Sequence, residues 1–190
     1  MDITRIFKSK ARQALFRLYF TNPDKSYYLR ELERILDIPV AMLRKELIAL
    51  EKAGIFVSSR KGNLSYYALN KTYSLYKELK SIVSKTVGVE ASLRDMLSST
   101  RGVRLAFIYG SFAAQKEKGD SDIDLMIVGN PNTSSLHEKI VGLEQKLKRE
   151  INPTFYSLKE YRAKKKAKGG FITDLLKNPK IILIDKENDL

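Results

Sequence analysis

Cysteine is absent from the 190 residues, and histidine occurs once. Without thiols there is neither a disulfide framework nor a thiolate zinc site, and the composition fits a reducing, cytoplasmic setting. His137 falls early in a predicted helix with no second histidine to help it build a metal site, so it reads as a solvated side chain. The opening stretch lacks a continuous apolar run as well. The opening MDITRIFKSKARQALFRLYF alternates charge with hydrophobic residues and resembles neither a signal peptide nor a membrane span. Acidic residues are the scarce charge, 22 against 35 Lys and Arg, which gives a net charge of +13 and points toward polyanionic partners. A hydrophobic share of 43% nevertheless suits a globular protein with a core. No internal repeat is evident.

The positive charge is uneven. Residues 1–87 hold 17 Lys and Arg against 8 acidic residues, and residues 88–190 hold 18 against 14. Within the first half, apolar positions from Ile3 and Ile6 to Leu18 follow helical spacing and stop before Asn22-Pro23. SYYLRELERILDI predicts a second helix with Ser26 available as its cap. A third helix has Pro39 in its first turn, a stripe of Val40, Leu43, Leu47 and Leu50, and an end before Gly54. IFVSSRKGNLSYYALN then turns to strand-type residues around Lys61-Gly62-Asn63, the pattern of a β-hairpin, with Tyr66 and Tyr67 as packing residues. Three helices and a hairpin in this order resemble the winged helix-turn-helix of small prokaryotic repressors over about residues 5–70. The resemblance implies binding to double-stranded DNA through Arg44 and Lys45 on the third helix and Arg60 and Lys61 on the wing. A winged helix that binds proteins is the other reading. Leu75, Leu79, Ile82 and Val83 mark a further helix that would connect the two halves or pair with a second subunit, so a homodimer is expected.

In the second half, FIYGSFAAQKEKGDSDIDLMIVG places Gly-Ser at the end of one hydrophobic strand and two aspartates at the start of the next. Alternation puts Asp122 and Asp124 on one face and Ile123, Leu125 and Ile127 on the other. Two like charges side by side stabilise nothing unless a cation sits between them, although a polar strand entrance facing water would tolerate both. Gly110 would let a backbone approach phosphate, Ser111 could donate to phosphate oxygens, and the carboxylates could hold Mg²⁺. Helices at 89–100 and 136–151, a strand at TFYSL, and a terminal helix and strand ending IILID complete an α+β unit with a small sheet.

Gly110, Ser111, Asp122 and Asp124, with Ser121 just before, resemble the Gly-Ser, spacer, Asp-x-Asp motif of polymerase-beta-type nucleotidyltransferases, especially the minimal members. The resemblance implies Mg²⁺ and a nucleoside triphosphate, ATP being expected, bound by Gly110, Ser111 and Ser121, with Asp122 and Asp124 as metal ligands and catalytic carboxylates. It also implies transfer of a nucleoside monophosphate with pyrophosphate leaving. Two departures stand out. Ala114 and Gln115 occupy the place of an Arg-Gly pair, and INPTFYSL offers Asn152 and Thr154 where active members carry a third carboxylate. Glu150 is near but is expected to end the preceding helix. The run Arg162, Lys164, Lys165, Lys166, Lys168 reads as a solvated face, with a phosphate or RNA contact as the other reading.

The expected architecture is α+β. It comprises an N-terminal winged helix-turn-helix domain at 1–70, a connecting helix at 71–87, and a nucleotidyltransferase-fold domain with a small mixed sheet at 88–190. The expected function is that of a DNA-binding transcriptional regulator with a Mg²⁺- and nucleotide-binding domain. The alternative is an active nucleotidyltransferase acting on a protein, RNA or small molecule and targeted by the winged helix.

Overall fold

A computed structural model describes residues 7, 9–114, 116, 121–167 and 170–186, and the chain divides into two units, Met1–Ala91 and Ser92–Leu190. Ile3, Ile6, Gln115 and Lys168 lie outside the described residues. In the first unit, α1 (Lys10–Thr21) begins later than apolar spacing predicts, because Ser9 is extended and its hydroxyl accepts the Arg12 amide at 3.0 Å. The same hydroxyl donates to Glu46 at 2.7 Å, and the Arg12 guanidinium pairs with the other carboxylate oxygen at 2.7 Å. A cap and an ion pair thus share one acceptor 34 residues away from Arg12.

Tyr27 and Tyr28 form a short strand, β1, where a Ser26-capped helix was expected. They pair with Tyr67 and Tyr66, and Tyr27 meets the Tyr19 ring edge-on at 5.3 Å. Ladder bonds and ring packing here outweigh local helix preference. The second helix, α2 (Leu29–Leu36), starts only after Tyr28, whose amide donates to the Glu31 carboxylate at 3.4 Å. Pro39 is the N-cap of α3 (Val40–Lys52), one position before the first turn, and Leu43, Leu47 and Leu50 are buried. Strands β2 (Phe56–Lys61) and β3 (Leu64–Leu69) pair antiparallel around Gly62-Asn63, where Gly62 takes φ 58°. The sheet order is β1-β3-β2. Tyr67 is buried and its carbonyl accepts the Tyr19 hydroxyl at 3.0 Å. Helix α4 (Tyr76–Thr86) lies within this unit: Val83 is fully buried, Tyr76 and Leu79 pack against the same core, and Leu75 and Ile82 are exposed.

Helix α5 (Val89–Ser98) leads to the second unit, whose order is β4 (Val103–Tyr109), α6 (Gly110–Ala113), β5 (Ile123–Gly129), α7 (Thr133–Leu147), β6 (Ile151–Tyr156), α8 (Leu158–Lys166), α9 (Phe171–Lys177) and β7 (Ile181–Asp185). Its sheet runs β6-β5-β4-β7, with β5 and β6 parallel and the other pairs antiparallel, so it is mixed. The long helix expected over 136–151 ends at Leu147, because Lys148 adopts the left-handed conformation at φ 53°. Glu150 therefore ends no helix. It precedes β6, and its carbonyl accepts the Ile123 amide at 2.9 Å. That strand starts three residues before the predicted TFYSL, and the single terminal helix is two, α8 and α9.

Leu105, Phe107, Met126 and Val128 form one core face with Tyr161, Ile172 and Leu175 of α8 and α9. Ala106, Ile108, Ile123, Leu125 and Ile127, on the other face, are also buried. Each such Leu, Ile, Val, Phe or Met side chain contributes roughly 1.5–3 kcal/mol when taken from water. Asp124 shares the Met126 face, so its carboxylate stands at the rim of a packed core. Both outer strands are blunted: β6 contains Pro153, and the Arg94 guanidinium donates to the Leu183 and Ile182 carbonyls of β7. Among the described residues, no helix is long and apolar enough to cross a membrane.

Candidate functional site

Antiparallel pairing of β4 with β5 sets Tyr109 opposite Asp124, where the strand ends and Gly110 begins the short α6. Gly110 has φ 71°, and a Cβ built there would lie 2.2 Å from Asp124 Oδ2. An L side chain there would be strained at this φ and would force the Asp124 carboxylate to turn away. The first requirement for glycine at 110 is therefore room for the carboxylate, alongside any approach of phosphate.

Asp122 is exposed just before β5 and Asp124 is half-buried on it. Burial, followed by the charge of Asp122, pushes the Asp124 carboxyl above its ordinary value of 3.8. Both causes disfavour the ionised form, and a bound cation would relieve both. Among the described residues, no three His, Cys, Asp or Glu gather into a metal-holding group, so a cation here would draw on these two carboxylates.

Parallel pairing of β5 with β6 places Asn152 beside Asp124 and Thr154 beside Met126. Asn152 is exposed, whereas the Thr154 hydroxyl shares a hydrogen bond with the Tyr109 hydroxyl at 3.1 Å. An amide, not a carboxylate, thus flanks Asp124 on the neighbouring strand. Ser111 donates to the Ser121 hydroxyl at 3.3 Å, which links the Gly-Ser turn to the entrance of β5.

Arg149 was not singled out in the sequence. Only 7% exposed, it donates from Nε to the Ser121 carbonyl at 2.8 Å and from Nη2 to the Ser121 hydroxyl at 3.1 Å, and its guanidinium lies 5.6 Å from the Phe112 ring centre. One buried cation therefore grips both arms of the motif, Phe112 after Gly-Ser and Ser121 before the aspartates. The sequence signal was faint: a basic residue between a helix stripe and a strand start looks like surface until the left-handed Lys148 turns it inward.

The other singled-out residues lie elsewhere. Arg44 and Lys45 are exposed on α3, while Arg60 and Lys61 are exposed at the end of β2, with Lys61 Nζ 5.1 Å from the Tyr66 ring centre. His137 is exposed on α7. Lys164 lies over the Tyr156 ring at 5.5 Å, and Arg162 and Lys166 help line a depression of about 720 Å³ with Asn130, beyond the end of β5 opposite the carboxylates.

A family model described as polymerase beta, nucleotidyltransferase matches residues 91–188. No curated protein matches the chain. Among the solved structures that resemble it distantly are the following two. A toxin-antitoxin crystal structure with AMP-PNP is 16% identical, covering 53% of this chain and 76% of that one, at a TM-score of 0.39. TrmBL2, an archaeal chromatin protein whose structure shows a novel mode of DNA binding, is 13% identical, covering 87% and 72%, at 0.30.

Replacing Arg149 by Ala removes its charge-assisted bonds to Ser121 and its contact with the Phe112 ring. Urea unfolding should then show a loss of about 2–3 kcal/mol, with Arg149→Lys intermediate because it lacks the planar fork. The Asp124 shift has the opposite sign. With its folded value raised, Asp124 favours the folded state while protonated, and that contribution is lost as pH rises through and above the ordinary 3.8. At neutral pH without metal, Asp124→Asn should melt no lower than the parent, and higher by on the order of 1–2 °C. The gain should vanish at pH 3.

Proposed function

The chain belongs to the polymerase beta nucleotidyltransferase family, and we propose that its second unit binds a Mg²⁺–nucleoside triphosphate, ATP first, as the sensing half of a DNA-binding transcriptional regulator. Asp122 and Asp124 would hold the metal, which takes one or two carboxylates and completes its shell with phosphate oxygens. The raised Asp124 carboxyl supports this, since ionisation at that position is costly until a cation shares the charge. The Gly110–Ser111 turn offers backbone amides and a hydroxyl to the phosphates, and Ser121 is steadied for the same task by Ser111 and Arg149. Bound metal would supply charge neutralisation on the triphosphate.

The observation that carries the regulator reading is Asn152 beside Asp124. Transfer of a nucleoside monophosphate needs the acceptor's hydroxyl proton removed, and an amide oxygen is too weak a base for that at neutral pH. Thr154, already bonded to Tyr109, is no better. Binding without rapid turnover is the behaviour these groups support. The second reading, an active transferase acting on a protein, RNA or small molecule, is favoured by the intact arrangement of Gly110, Ser111, Asp122 and Asp124.

For the first unit, the proposal is a winged helix with α3 as reader and β2–β3 as wing, binding duplex through Arg44, Lys45, Arg60 and Lys61. The exposure of all four supports it, as does the excess of positive charge in residues 1–87. Exposed Leu75, the N-cap of α4, and Ile82 on it support a homodimer seam.

Isothermal titration should show ATP binding that requires Mg²⁺ and is abolished by Asp122→Asn with Asp124→Asn. Pyrophosphate release should be very slow in the parent and rise about tenfold or more in Asn152→Asp. Rapid, aspartate-dependent labelling of an acceptor by the unmodified chain would make it an enzyme instead. Anisotropy with duplex DNA should fall steeply as salt rises, and Arg44→Ala with Lys45→Ala should weaken binding about tenfold or more at fixed salt without changing the melting temperature. Unchanged affinity would remove α3 as the reader.

A further inference from the structure

A triphosphate gripped at Gly110–Ser111 must place its nucleoside somewhere, and the turn opens on a cavity of about 620 Å³. Tyr109, Gly110 and Ser111 form one wall, and Phe171, Asp174 and Asn178 are on the other. This volume lies within the range of small-molecule pockets. Phe171 is 55% exposed, unusual for a large apolar ring at the first position of a helix whose next apolar residues, Ile172 and Leu175, are buried in the core. Those two anchors fix the helix, and Tyr109 meets the Phe171 ring edge-on at 6.1 Å and 77°. The ring is therefore held on a rigid platform with part of its surface uncovered, beside the phosphate grip.

From this arrangement we infer that the cavity seats the base of the bound nucleotide, with Phe171 stacking on it, and that the base is an amine-bearing purine, adenine first. The inference rests on the nucleotide-binding reading above. A purine offers the larger flat surface to the ring, and base–aromatic stacking is a strong, directional contribution. The polar part of the wall selects the edge. Asn178 uses its Nδ2 to donate to the Asp174 carbonyl at 2.9 Å, which leaves its Oδ1 without a protein donor among the described residues. The Asp174 carboxylate is an acceptor too, and one of its oxygens, Oδ1, pairs with Lys177 at 2.9 Å. Lys116, the lining cation, is tied by its amide to the Ser111 carbonyl at 3.0 Å and so belongs to the phosphate side. The acceptors of Asp174 and Asn178 match an exocyclic amine and oppose the carbonyl edge of uracil. The other possible occupant is a side chain of an acceptor substrate.

The chain contains no tryptophan, so Phe171→Trp in the full-length protein creates a single reporter at the proposed stacking position. With Mg²⁺ present, ATP should quench its fluorescence, whereas inorganic tripolyphosphate should bind by calorimetry without quenching. Phe171→Ala, at an exposed ring, should keep the melting temperature and weaken ATP about tenfold or more while leaving tripolyphosphate unchanged. UTP should bind more weakly than ATP. Equal binding of ATP and tripolyphosphate, both indifferent to Phe171→Ala, would overturn the base pocket while leaving nucleotide binding intact and the cavity free for an acceptor. UTP as tight as ATP would overturn the amine selection. If the parent chain binds neither ATP nor tripolyphosphate, this inference falls together with the nucleotide reading.

Discussion

Asp124 and any side chain at position 110 compete for one volume, and the second unit is arranged so that the carboxylate occupies it. A Cβ at 110 would be 2.2 Å from the carboxylate oxygen, a distance no atom pair of this kind tolerates. The register of β4 with β5 enforces the encounter, since it aligns Tyr109 with Asp124. Slipping that register by one residue would send Asp124 to the opposite face, into a row of fully buried aliphatic side chains. The packed faces thus hold the strands in step from within, while glycine at the strand's end is the concession that makes this step possible. Everything proposed for the site depends on that single alignment.

Around it the electrostatics are uneven in an informative way. The basic member, Arg149, is deeply buried yet has bonds to Ser121 and a ring beneath it. The acidic members are more exposed, and the one nearer the core is disfavoured in its charged form. Satisfied buried charge tends to organise structure, and unsatisfied charge at a rim tends to wait for a ligand. By that division Arg149 builds the frame, and Asp124 is the residue to which the proposed function assigns a ligand. The frame comes from three distant pieces of chain: the end of β4, the start of β5 and the link from α7 to β6.

What could be read from the sequence followed the range over which each interaction acts. Alternation along Ile123–Gly129 and the Gly-Ser turn are local, so the pairing of Asp122 with Asp124 and the mixed sheet around them were legible. The turn at Gly62-Asn63 and the leucine stripe of α3 were legible for the same reason. Tyr27 and Tyr28 were misread because their strand exists only through Tyr66 and Tyr67, some 40 residues later. The late start of α1 depends on Ser9 meeting Glu46, and the early end of α7 on Lys148 taking a conformation usually left to glycine. Arg149 escaped notice because its burial follows from that same turn. Asn152 was visible as a missing carboxylate, but only the parallel register showed that it stands beside Asp124.

The two blunted margins of the second sheet bear on how this unit can meet its neighbours. Pro153 removes an amide from one outer strand, and Arg94 already satisfies carbonyls on the other. A further strand, from another copy or from a peptide, would meet a proline on one margin and two occupied carbonyls on the other, so the ladder is harder to continue there. Recognition through this unit is thereby turned toward side-chain surfaces and cavities, where selectivity can be tuned residue by residue. The same margins offer a crowded solution a poorer template for the growth of sheets into fibres.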